Sequence, residues 1–111
     1  MLYGTRLAAD LAYGDELARL AAQDSNTTYV PTVTREPMES SWTGARGRVT
    51  ALLDPHAFEQ RIGWPLDPAR THVMLCGNPQ MIDDAQAILV AAGFVPDRPH
   101  APGDLHFERY W

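Results

Sequence analysis

The chain has 111 residues with nine arginines, no lysine, 14 acidic residues and one cysteine, and its formal net charge at pH 7 is −5. This length fits one small domain, and a composition that is 45% hydrophobic and 21% charged is typical of a globular protein. No stretch is apolar enough to span a membrane, and an acidic chain lacks the basic surface of sequence-independent nucleic-acid binders. The lone Cys76 cannot form an intramolecular disulfide, and no basic-then-apolar leader opens the sequence. We therefore expect a reducing, cytoplasmic setting with no membrane or nucleic-acid partner.

The first third of the chain is predicted as strand, helix and strand. Residues 2–5 have the apolar character of the end of a strand, and the spacing of apolar residues over 6–23 predicts one helix. Gly14 would weaken the middle of this helix. The β-branched run over 27–34 predicts a second strand, in which Pro31 lacks an amide donor and favours an edge position or a bulge.

The middle of the chain is predicted as a loop followed by helical segments. Residues 35–47 are too polar and irregular for a regular element, and residues 48–53 are predicted as a short helical turn. Pro55 suits the first position of a helix that runs to about residue 62, with Asp54 as its cap. Glycine and proline residues then end this helix.

The last third contains a strand, a turn, a helix and a final strand. The apolar run over 71–76 ends at Gly77 and predicts a buried strand of a parallel sheet. Asn78 caps a helix that starts at Pro79, and a loop with three prolines leads to a last strand over 105–110. Because strands and helices alternate along the whole chain, we expect an α/β fold with a mainly parallel sheet.

Three arginines are candidates for binding a phosphate group. Arg6, Arg35 and Arg48 each lie near the carboxyl end of a predicted strand or in the loop after it. In an open parallel sheet these ends meet at one rim, where ligands bind. Planar guanidinium groups that converge there would hold a phosphate dianion, and scattered surface arginines are the alternative interpretation.

Residues 76–79, Cys-Gly-Asn-Pro, join the predicted buried strand to its helix. The glycine would let a flat ligand approach the backbone, and the helix start would offer free N–H groups and a partial positive charge. A simple capped turn with a buried Cys76 is the alternative. Asp83 and Asp84 are interpreted as first-turn charges that the helix dipole explains.

The C-terminus places a carboxylate and two aromatic rings at the end of the chain. Glu108, Tyr110 and Trp111 either dock against a partner or pack on the domain's own core, since chain ends are otherwise frayed and polar. The four histidines lack metal-ligand spacing, so no metal site is expected. No Ser-His-Asp grouping or phosphate loop is recognisable.

Five stretches of the chain resemble the C-terminal half of the bacterial ferredoxin–NADP⁺ reductases, which belong to the flavoprotein reductase superfamily. The Cys-Gly-Asn-Pro segment combined with an aromatic terminus is the most specific part of this resemblance. The stretches occur in the family's order: GTRLAADLAY (4–13), VTREP (33–37), GRV (47–49), VMLCGNPQM (73–81), and PGD to ERYW (102–111).

The resemblance implies a fold and an activity. The fold would be a partial doubly wound parallel sheet, an NADP-binding domain over residues 1–111 that lacks its first, central strand. The parent enzyme would pass hydride between NADP(H) and FAD and exchange electrons with ferredoxin or flavodoxin. FAD would be bound mainly by an absent domain, so the fragment alone should be inactive. We expect the missing strand to come from the N-terminal part of its own chain or from another copy. A non-enzymatic α/β module that binds a nucleotide or a partner is the alternative.

The resemblance also implies roles for individual residues. Three arginines match positions that grip the 2′-phosphate of NADP(H), and two residues match the segment beside the nicotinamide. Glu108 matches a carboxylate near the reacting rings, Tyr110 an aromatic that covers the flavin, and Trp111 an extension that packs near the FAD adenine. The expected catalytic residues are Cys76, Glu108 and Tyr110, and the expected cofactor-binding residues are Arg6, Arg35, Arg48, Gly77, Asn78, Pro79, Tyr110 and Trp111.

Overall fold

A computed structural model of the chain describes residues 1–110, so the expectations for Trp111 fall outside the described residues. Two compact units are present, one over Met1–Leu52 and a second that begins at Leu53. None of the helices within residues 1–110 has the length and apolar character needed to cross a membrane. The strands are β1 (Leu2–Thr5), β2 (Val30–Val33), β3 (Ala45–Arg46), β4 (Val73–Gly77) and β5 (Leu105–Arg109); the α-helices are α1 (Gly14–Gln23), α2 (Pro55–Ile62) and α3 (Pro79–Ala91); and 3₁₀ turns span Ala8–Asp10 and Val49–Leu53.

The first unit is built on a three-stranded parallel sheet in the order β1-β2-β3. Its core includes the buried side chains of Val30, Val33 and Ala45. Thr32 is also fully buried, and its hydroxyl donates to the carbonyl oxygen of Gly47 at 2.8 Å. The polar group inside this sheet is therefore satisfied.

The position of Pro31 in this sheet differs from the expectation. β2 is the middle strand, so the predicted edge position or bulge is wrong. The backbone N–H groups of Val30 and Thr34 donate toward β1. Because successive backbone N–H groups of a strand point to opposite sides, the nitrogen of Pro31 faces β3. β3 pairs only with the last two residues of β2, beyond the proline. The missing N–H therefore leaves no ladder hydrogen bond unmade. The predicted loop over 35–47 was also wrong in one respect, because it contains β3.

The single helix predicted over 6–23 is wrong. A 3₁₀ turn and α1 are separate, and Tyr13 between them has a left-handed φ of 57°. Leu7 donates its backbone N–H to the Asp10 carboxylate at 3.2 Å, a local bond that stabilises a turn in competition with a continuous helix. Gly14 consequently begins α1 and does not lie in its middle.

The helices that follow begin and end where the sequence indicates. The carboxylate of Asp54 accepts from the backbone N–H of Ala57 at 3.1 Å and caps α2. Gly63, the residue just after this helix, has φ 93°. The helical turn predicted over 48–53 is confirmed as a 3₁₀ turn. Gly93 has φ 101° just after α3, as expected of a helix stop.

The second unit combines α3 with the parallel pair β4 and β5. α3 packs against both strands and contributes three fully buried side chains to the core. The parallel pairing and the α/β class are confirmed. The core of this unit contains Leu53, Ile82, Ala85, Leu89, Phe94 and Leu105.

β4 is more exposed than its composition predicts. Met74 is 82% exposed and Cys76 is also exposed. The prediction of a buried strand and the alternative of a buried Cys76 are therefore both wrong. Val73 and Leu75 alternate with Met74 and Cys76 and are half-buried. A continuous apolar run is typical of a strand covered on both faces. In the described residues, exposed and half-buried side chains alternate along β4, so only one face of this strand is substantially buried.

Candidate functional site

Three arginines lie just beyond the carboxyl ends of the three strands of the first unit. Arg6 directly follows β1, Arg35 is the second residue after β2, and Arg48 is the second residue after β3. Arg35 donates its backbone N–H to the carbonyl oxygen of Arg6 at 2.8 Å, so these two backbones lie side by side. All three residues are exposed. The two ion pairs formed within residues 1–110 involve other residues, so these guanidinium groups are available to an anion.

Two residues that the sequence did not single out hold this edge together. The carboxylate of Glu36 accepts from the backbone N–H of Ala8 at 2.8 Å. The guanidinium of Arg46 donates to the carbonyl oxygens of Glu36 at 2.6 Å and Pro37 at 3.1 Å. These bonds tie the segment after β2 to the segment after β1 and to β3 itself. Arg46 therefore has a structural role, and no spacing in the sequence distinguishes it from the other arginines.

The turn after β4 has a backbone suited to close approach. Gly77 has φ 137°, and a Cβ there would lie 3.1 Å from the Cε atom of Met81. The side-chain oxygen of Asn78 accepts from the backbone N–H groups of Gln80 at 2.8 Å and Met81 at 3.4 Å. The prediction of free N–H groups at this helix start is therefore wrong for residues 79–81. Pro79 has none, and those of Gln80 and Met81 donate to the cap.

The second unit brings four predicted residues to the same end of its sheet. Cys76 is in register with Glu108 across β4 and β5, and both are exposed. Paired residues in register project to the same face of a sheet. Tyr110 donates its backbone N–H to the carbonyl oxygen of Gly77 at 3.3 Å, and its side chain is 63% exposed. The thiol of Cys76, the carboxylate of Glu108 and the side chain of Tyr110 thus lie at the end of the sheet where Gly77 begins the turn.

An ion pair anchors the end of β5 on α3. The guanidinium of Arg109 donates to the Asp83 carboxylate at 2.5 Å and lies 4.8 Å from the centroid of the Phe107 ring. Asp83 lies beyond the first turn of α3, so its interpretation as a first-turn dipole charge is wrong. Asp84 instead accepts from the side chain of Gln80 at 2.9 Å. The pairing joins residues 26 apart, which sequence spacing could not reveal.

Comparisons with known proteins identify the family of the chain. A sequence profile of the oxidoreductase NAD-binding domain matches residues 1–87. The chain belongs to this family. This NAD-binding domain is 34% identical over 113 residues to the flavodoxin/ferredoxin–NADP reductase of Escherichia coli (strain K12), covering 100% of the chain and 44% of that protein. It is 35% identical over 113 residues to ferredoxin–NADP reductase A of Sorangium cellulosum (strain So ce56), covering 94% and 39%.

The same NAD-binding domain matches a solved reductase structure. The crystal structure of a ferredoxin NADP⁺ reductase from Neisseria gonorrhoeae with bound FAD and NADP superposes with a TM-score of 0.84 at 28% identity. The match covers 99% of this chain and 43% of that chain. The α/β architecture with parallel strands in two small sheets is therefore the reductase type of NADP-binding fold. The chain spans less than half the length of these relatives.

Proposed function

We propose that this chain is the NADP(H)-binding portion of a ferredoxin– or flavodoxin–NADP reductase. The arginine edge carries the proposal, because Arg6, Arg35 and Arg48 follow three adjacent parallel strands and are exposed. A 2′-phosphate distinguishes NADP(H) from NAD(H), and planar guanidinium forks suit such a dianion. The reductases to which the chain is similar support the assignment. The proposal includes a cytoplasmic setting, where the exposed thiol of Cys76 stays reduced.

The residues of the second unit fit the reacting end of the nucleotide. When bound, NADP(H) and FAD supply the hydride chemistry, and the residues of this chain position the rings. Cys76 and Gly77 would lie beside the nicotinamide, because a residue without a side chain allows close approach of a ligand to its backbone. Glu108 projects from the same face as Cys76 and would contact the reacting rings. Tyr110 is exposed after β5, which suits an aromatic cover for the flavin.

Asn78 and Pro79 would support the proposed cofactor site through the turn before α3. Asn78 fixes the start of α3 through two backbone N–H groups, and Pro79 occupies the first helical position. These residues hold the glycine turn against the helix rather than offering donors to the cofactor. Packing of Trp111 near the FAD adenine stays a prediction, because this residue lies outside those described.

We propose that elements outside these residues complete the two sheets. Within residues 1–110, β1 pairs only with β2 and β4 pairs only with β5, so each has an edge without a strand partner. The 82% exposure of Met74 on an apolar strand supports a further covering element. The N-terminal part of a longer chain or a second copy would supply it. The FAD domain and the surface for ferredoxin or flavodoxin would likewise lie mainly outside these residues.

Arg35→Ala tests the phosphate assignment in the intact reductase. Loss of one charge-assisted contact to the 2′-phosphate should weaken NADPH binding by about ten- to a hundredfold and leave NADH binding nearly unchanged. Arg61→Ala is the matched control, because Arg61 is an exposed arginine on α2. Fluorescence titration with both nucleotides measures the effect. Equal losses of affinity for NADPH and NADH would contradict the assignment of the 2′-phosphate to these arginines.

The intact mass and the visible absorbance of the purified protein test the rest of the proposal. A mass well above 12.3 kDa together with a flavin spectrum is expected of the whole reductase. A protein of 12.3 kDa that is colourless and binds neither nucleotide would contradict the enzyme assignment. That result would favour the non-enzymatic module.

A further inference from the structure

The first unit contains a cavity of about 600 Å³ that the proposed nucleotide site does not use. Its walls come from the segment before α1, the first turns of α1, the start of β2 and the loop before β3. Arg6, Arg35 and Arg48 do not line it. Small-molecule sites in proteins typically occupy roughly 300–1,000 Å³, so the volume of this cavity is large enough for a small organic ligand.

One wall is a tryptophan ring held in a fixed orientation. The indole Nε1 of Trp42 donates to the carbonyl oxygen of Ala45 at 3.0 Å. The ring also lies against Gly44, where an added Cβ would overlap the indole. Tryptophan offers the most favourable aromatic face for a cation. A ring fixed in advance loses little conformational entropy when a ligand binds.

Two tyrosines line the same cavity. Tyr13 is 73% exposed, so packing does not use most of its ring. The hydroxyl oxygen of Tyr29 is buried and has no hydrogen-bond partner among the described residues. Because this oxygen has no accessible surface, Tyr29 forms part of the cavity wall without offering a hydrogen bond to a ligand.

The carboxylates that line the cavity favour a positively charged ligand. Asp15 and Glu16 line the cavity, and the ion pairs within residues 1–110 do not involve them. Their charges complement the positive end of the helix dipole at the start of α1, but that role requires no aromatic ring. Aromatic faces and carboxylates together attract a cation and disfavour an anion such as a phosphate.

We propose that this cavity binds a small organic cation with an alkylammonium head. The head would contact the rings of Tyr13 and Trp42 and the carboxylates of Asp15 and Glu16. This site is independent of the nucleotide assignment, because the two sets of residues do not overlap.

Choline and its uncharged isostere 3,3-dimethyl-1-butanol test the proposal. Each is titrated into the labelled protein while NMR follows the indole Nε1–H signal of Trp42. Choline should bind at least about tenfold more tightly than the alcohol, because only the cation interacts with ring faces and carboxylates. An equal response to both compounds, or no response to choline, would overturn the proposal.

Matched variants localise the binding. Tyr13→Ala should weaken choline binding by about five- to tenfold, while Trp64→Ala, which removes a 54% exposed ring from the second unit, should leave it unchanged. Glu16→Gln should weaken binding and reduce its salt dependence, whereas Glu59→Gln on α2 should not. Tyr13→Leu keeps apolar bulk and must also lose affinity if the ring is what binds. Retained affinity in both Tyr13 variants would contradict the site.

Discussion

At the scale of single residues, Gly77 carries a constraint that a side chain cannot meet. Its φ of 137° is unfavourable for any residue with a Cβ, and Met81 lies 3.1 Å from where that atom would be. Gly77→Ala should lower the free energy of unfolding by about 1–3 kcal/mol in urea titrations. Gly63→Ala is the matched control, because its φ is 93° and nothing lies within 4 Å of its added Cβ. A larger loss at Gly63 would show that close approach at Gly77 is unimportant.

The hydroxyl of Tyr29 predicts a dependence of stability on alkaline pH. Because burial raises its pKa in the folded state, its contribution to stability is complete below the unfolded value of about 10 and is lost as pH rises through the folded pKa. Tyr29→Phe should therefore flatten the alkaline loss of stability. At neutral pH it should cost little, because no hydrogen bond within the described residues is removed.

Thermal unfolding at neutral and alkaline pH measures this effect. Tyr13→Phe is the control, because that side chain is 73% exposed. An unchanged alkaline decline in Tyr29→Phe would show that the buried hydroxyl does not cause it.

At the scale of elements, α3 depends on its cap. Asn78→Ala removes the acceptor for the N–H groups of Gln80 and Met81 and should cost about 1 kcal/mol of unfolding free energy. Asn78→Asp keeps an acceptor oxygen and should retain most of that stability. Urea unfolding of both variants measures the difference. Equal destabilisation by alanine and aspartate would show that the cap is not what Asn78 contributes.

Elements with strong local signals were predictable from the sequence. Pro79 after a capping asparagine fixed the start of α3, and Asp54 did the same for α2. The break before α1 depends on one bond between Leu7 and Asp10, which apolar periodicity does not detect. Pro31 is tolerated in the middle strand because β3 pairs with β2 only beyond the proline. This pairing is a tertiary contact that the local sequence does not show.

The candidate site was predictable to the same extent. Arg6, Arg35 and Arg48 were found at strand ends because parallel strands share one rim. The contacts of Glu36 with Ala8, and of Arg109 with α3, join residues far apart in sequence. No local pattern encodes such contacts, so the supporting bonds of the site required the structure.

At the scale of the whole molecule, unpaired strand edges and an exposed apolar strand predict self-association of the isolated chain. Its mass in light scattering should rise with concentration, and Met74→Glu should reduce this rise by placing a charge on β4. Met38→Glu is the matched control, because that methionine is 80% exposed but lies in a loop. A monomeric mass at every concentration would contradict the need for a covering element.

The pairing of β4 with β5 makes the position of Glu108 beside Cys76 depend on where β5 starts. In the loop before β5, Asp97 accepts from the backbone N–H of Gly103 at 2.9 Å, and Asp104 accepts from that of Val95 at 2.7 Å. These bonds set the point at which β5 starts. A slip of the strand by one residue would turn Glu108 to the opposite face. The aspartates of this loop therefore help to set which face carries Glu108, although the loop lies at the far end of the strand from the thiol.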